Sequence, residues 1–147
     1  MKKIIFLLLA TFVLNYISFS QKSEVFIKNN KAIDGYDVVA FFTNHQPIKG
    51  DEKFIVNYNN AIWYFSSQQN ADSFKAKPEK YAPQFGGYCA YGCSNGYKAP
   101  TQIDTWTIVD NKLYFNYNLK VKDSWMNKKE VLIPIANDNW VKIKDKS

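Results

Sequence analysis

Two stretches of this chain read as β-hairpins, and they limit the fold more than any other feature. Lys53 to Tyr58 alternates, with Phe54, Val56 and Tyr58 on one face, and Ile62 to Phe65 returns as a second strand. Between them Asn59-Asn60 suits a two-residue turn, because asparagine tolerates positive φ. Thr105 to Val109 and Leu113 to Tyr117 form a second hairpin around Asp110-Asn111. Ser66 or Ser67 then caps a helix that carries Ala71 and Phe74 and ends at Pro78. Val121 and Trp125 are spaced for one face of another helix. Pro134 prevents one long helix there and fits the first turn of a further one carrying Trp140. Glu24 to Lys28 reads as a short first strand, whereas periodicity does not decide between helix and strand for Val38 to Phe42. The expectation is one α+β domain, two hairpins packed with three or four short helices. It spans residues 33–143, after an N-terminal segment at 21–32 and before a tail at 144–147.

Residues 1–20 read as a signal peptide. Met1-Lys2-Lys3 is a positive start, Ile4 to Leu14 is an apolar run of signal length, and Ser18-Phe19-Ser20 predicts cleavage before Gln21. The run is too short for a membrane span, and no later stretch reaches the ~20 apolar residues a transmembrane helix needs. A secreted or periplasmic protein with no membrane span after cleavage is expected. The 19 basic residues are all lysines, so the bidentate grip of arginine on phosphate or carboxylate is missing. The net charge of +6 is dispersed, which together with export argues against a nucleic-acid partner. A single histidine excludes mechanisms needing two. No Ser–His–Asp triad, P-loop or glycine-rich dinucleotide turn is present, so a binding module is favoured over an enzyme.

The chemistry-bearing residues are few. Cys89 and Cys93, the two cysteines of the chain, follow the flexible pair Gly86-Gly87. If Tyr88 to Cys93 is a helical turn, Cys89 sits at its N-terminus, where the helix dipole would lower the thiol pKa, and Cys93 lies on the same face. Such a pair can clamp Cu(I), oxidise to a disulfide, act as reactive and resolving thiols, or simply pack. His45 is the only other soft donor; in the polar loop Thr43-Asn44-His45-Gln46 it reads first as a solvated residue. A fourth zinc ligand would have to be a carboxylate such as Asp37 or Asp104. Tyr36-Asp37 reads as an Asx turn leading into Val38. The stripes Trp63/Phe65 and Trp106/Ile108 read as strand core first and as a ligand-pocket wall second.

Tyr64-Phe65-Ser66-Ser67, then Ala71, Phe74, Pro78 and Tyr81, resemble the YHS domain pattern, which in many members runs Tyr-Phe-Cys-Ser-x-x-Cys-x-x-x-Phe-x-x-x-Pro-x-x-Tyr. Gly35-Tyr36-Asp37, Lys80-Tyr81-Ala82-Pro83, Gly86-Gly87-Tyr88-Cys89-Ala90 and Lys112-Leu113-Tyr114 extend the likeness to an exported bacterial branch. The resemblance implies a treble-clef-like core and a metal-handling context, with copper as the metal and metal-handling proteins as partners. It also exposes a departure. The two cysteines of the metal-handling members fall at Ser66 and Asn70 here, so their site does not carry over. Cys89, Cys93 and His45 remain as the metal-ligand candidates.

Overall fold

A computed structural model describes residues 23–146. The predicted signal segment lies outside them. The fold is a small mixed α/β domain with three two-stranded antiparallel sheets and six α-helices among the described residues. Both expected hairpins form. In the first, β3 (Asp51–Tyr58) pairs with β4 (Ala61–Phe65), Val56 opposite Trp63 and Tyr58 opposite Ala61. In the second, β5 (Gln102–Val109) pairs with β6 (Lys112–Asn116), Thr107 opposite Tyr114 and Val109 opposite Lys112. Asn59-Asn60 and Asp110-Asn111 all have positive φ, between 49° and 58°, as type I′ turns require.

The third hairpin was not expected. It joins β1 (Ile27–Lys28) to β2 (Lys31–Ala32) through Asn29-Asn30, again with both φ positive. The undecided stretch at Val38 to Phe42 is helical, as α1 (Ala40–Thr43). Ser67 caps α2 (Gln68–Ala76) by accepting from the Asn70 N–H at 3.1 Å. Pro78 both ends that helix and opens α3 (Pro78–Tyr81) at its first position, where no N–H is needed. The short α4 (Ala90–Ser94) precedes the second hairpin. Asn118 caps α5 (Leu119–Met126), and α6 (Lys129–Ile143) closes the domain. Pro134 lies inside α6 rather than in its first turn. A proline there forfeits one ladder bond. The helix runs through it because Ala136 and Ile143 are buried and Asn139 is anchored, as described below.

The core is aromatic. Phe74 of α2 packs on Trp63 and Phe65 of β4, with ring centroids 5.0 and 5.1 Å apart, and edge-on to Tyr58 at 5.6 Å. Phe41 of α1 meets Trp106 of β5 and Phe115 of β6, seating α1 on the second hairpin. Each such ring contributes about 1.5–3 kcal/mol by burial. Among the described residues no helix is long and apolar enough to cross a membrane.

Candidate functional site

The segment before Cys89 turns on three successive positive φ values, at Phe85, Gly86 and Gly87. The turn delivers Cys89 to the N-cap of α4. Its N–H donates to Ala99 O at 3.0 Å, and its backbone makes a parallel bridge to Phe115 of β6. Cys93 N–H donates to Cys89 O at 2.9 Å, so the two cysteines occupy one helical turn, as their spacing predicts. Neither is in a disulfide, and both are buried.

Asn116 positions the Cys89 thiol. Its Oδ1 accepts from the Tyr91 N–H at 3.2 Å, which fixes the amide orientation. The Cys89 thiol therefore donates to the same oxygen, at 3.7 Å, while Sγ accepts from the Gly92 N–H at 3.4 Å. Asn116 Nδ2 is buried without a partner among the described residues. The lowered thiol pKa expected at a helix N-terminus is not found. Burial pushes Cys89 up, and the hydrogen bonds from the Gly92, Tyr117 and Tyr91 backbone offset this only in part. Cys93 is pushed up to about 12 by burial and by the neighbouring Cys89 sulfur, against the pull of the Lys98 ammonium. A five-residue helix supplies too little dipole to overcome desolvation. Both thiols are neutral at pH 7. Aromatic thiol reagents should label the native protein far more slowly than the unfolded chain, and the native rate should climb as pH rises through 9 and beyond. Fast labelling at pH 7 in a native-state assay would contradict this.

Burial of the neutral thiol also links folding to alkali. A raised folded pKa gives stability that is complete below the ordinary thiol value of 9.0 and is lost as pH rises toward about 12.

The other donors do not join the pair. His45 sits on the exposed loop after α1 with φ 53°, and Asp104 is exposed on β5. Among the described residues no three or more His, Cys, Asp or Glu side chains cluster to share a metal ion.

Asp37 forms a second centre, only half of which was visible in the sequence. It is fully buried. Its Oδ1 accepts from the Val39 and Ala40 N–H groups at 2.9 and 3.2 Å, which is the expected Asx turn. Its Oδ2 accepts from the Ser66 N–H at 2.8 Å, the Ser66 hydroxyl at 2.7 Å and Asn70 Nδ2 at 2.7 Å. With five donors converging on two oxygens, Asp37 is saturated and unsuited to a metal ligand. Ser66 serves this carboxylate and leaves the helix cap to Ser67. The side chains that meet at Oδ2 are those at the two positions where metal-handling members carry cysteines. Short-range spacing could not reveal this convergence, because 29 and 33 residues separate the partners.

Residues 39–85 match the family model of the YHS domain. The matched segment starts at the N-cap of α1 and ends four residues before Cys89, so it contains Ser66 and Asn70 but neither cysteine. Asp37 sits just outside it and bonds to its first residue, at the start of α1, and to the β4–α2 junction in its middle. No curated protein and no solved structure matches the chain.

Proposed function

We propose that this YHS-type domain is a binding module for a soft monovalent metal, copper(I), held by Cys89 and Cys93 outside the cytoplasm. The observation that carries the reading is the unpaired state of the two cysteines on one helical turn. Two sulfurs suffice for copper(I), which accepts low coordination by soft donors, so a third ligand such as His45 is not required. The resemblance to YHS domains, some of which occur in metal-handling proteins, supports the reading, and the signal-like first twenty residues are in keeping with a site outside the cytoplasm. Thiol redox catalysis is disfavoured, because a reactive Cys89 would need an accessible, acidified thiol.

Metal binding at two neutral thiols must release two protons. Affinity should therefore rise with pH, by about two decades per unit while both thiols remain protonated in the free protein. Anaerobic titration of the reduced protein with Cu(I) against a competing chelator tests this. Stoichiometric binding that strengthens with pH and disappears in Cys89→Ser/Cys93→Ser is the expected result. Failure of the reduced wild type to compete at any pH would overturn the reading. It would favour the second one, which rests on the burial of both sulfurs and on the Asn116 contact: a cysteine pair that only packs.

A further inference from the structure

Away from the thiols, a cleft of about 280 Å³ opens between the N-terminal segment, the β3–β4 turn, the loop after α3, and α6. Its walls include Tyr58, Trp63, Phe85 and Trp140, and two carboxylates, Glu24 and Glu79, stand among them. No lysine lines it, although the chain as a whole carries +6. Glu79 makes no ion pair among the described residues. Both carboxylates act on the Tyr58 hydroxyl, whose pKa is raised by burial first and then by Glu79 and Glu24, so the three groups share one electrostatic environment. Negative charge beside aromatic faces is the chemistry that holds ammonium groups.

The molecule already uses both halves of that chemistry on its own lysines. Lys144 Nζ lies 3.6 Å from Glu24 Oε1, and Lys98 Nζ lies over the Trp140 ring at 5.8 Å. The Lys144–Glu24 pair is partly exposed and so exchangeable, since pairs of this kind are weak.

We propose that this cleft binds an organic ammonium ion, its head group at the Glu24 and Glu79 carboxylates and its apolar stem against Trp140 and Phe85. Lys144 is then an internal competitor for Glu24. This site is independent of Cys89 and Cys93, and the proposal stands or falls apart from metal binding.

The test is titration of the full chain with n-butylammonium, followed by calorimetry and by the indole resonance of Trp140, beside the neutral isostere 1-butanol. Saturable binding in the millimolar range is expected for the ammonium and none for the alcohol. Glu79→Gln, on an exposed helix turn, should fold normally and weaken binding about fivefold. Lys144→Gln should strengthen it, because the competing ammonium is gone. Equal responses to amine and alcohol, no saturation by the amine, or Glu79→Gln and Lys144→Gln variants that bind like the wild type would each overturn the proposal.

Discussion

Asp37→Ala should destabilise the protein by about 3–5 kcal/mol, seen as a lowered midpoint in chemical denaturation with an unchanged slope. The size follows from what the substitution leaves behind. The Val39 and Ala40 N–H groups, the Ser66 N–H and hydroxyl, and Asn70 Nδ2 lose their common acceptor together. These donors stand in or beside the core, and part of their hydration is not recovered. A domain of this size holds about 5–15 kcal/mol in all, so the loss is a large share. Asp37→Asn is the sharper comparison. It keeps an oxygen for the Asx turn but presents an NH₂ group to the three donors on Oδ2, so most of the penalty should remain. A cost below about 1 kcal/mol for the alanine variant would mean that Asp37 does not hold α1 to the β4–α2 junction.

Gly86→Ala should be comparably severe, for a steric reason. A Cβ at this position would lie 1.7 Å from Glu24 O and 2.8 Å from Glu24 C. The positive φ of 60° adds strain, but Phe85 next to it adopts 55° with a full side chain, so conformation alone is tolerable here. The clash with main chain decides the outcome. Residues 24–26 must lift, breaking the bond from the Phe26 N–H to Gly86 O at 2.8 Å. Val25 and Phe26 then lose their burial, at about 1.5–3 kcal/mol each. Hydrogen exchange should show lost protection at the Phe26 amide, and proteolysis should begin in the N-terminal segment. Gly35→Ala is the control. Its Cβ meets the flexible Lys31 side chain at 2.9 Å, which can move aside, so it should cost no more than about 1–2 kcal/mol. Equal effects at the two glycines would contradict the steric account.

The parts of the fold that were legible in the sequence are those governed by neighbours. Asn59-Asn60 and Asp110-Asn111 announced their hairpins because the turn chemistry and the alternation lie within about a dozen residues of each other. Asn29-Asn30 carries the same turn chemistry, yet its strands are two residues each and show no alternation to read. Pro134 misled because a local rule met tertiary packing: Leu132 and Ile133 pack on the core before it, and Ala136, Ile143 and the Asn139 bonds to Cys93 O and Ser94 O hold α6 after it. At the candidate site, the shared turn of Cys89 and Cys93 followed from spacing. Their protonation did not, because it depends on burial beneath α6 and β6 and on Asn116, 27 residues away from Cys89. The Asp37 centre was half legible for the same reason: the near donors are two and three residues on, and the far ones come from another element.

The three separate two-stranded ladders shape how the chain folds. A lone hairpin closes within microseconds but is marginally stable in water. Each ladder can thus flicker into being early, and none persists until its inward side chains meet in the one core they share, Ala32 from the first, Trp63 and Phe65 from the second, and Leu113 and Phe115 from the third. Assembly is then close to all-or-none, with no ladder able to survive as a folded remnant when the others open.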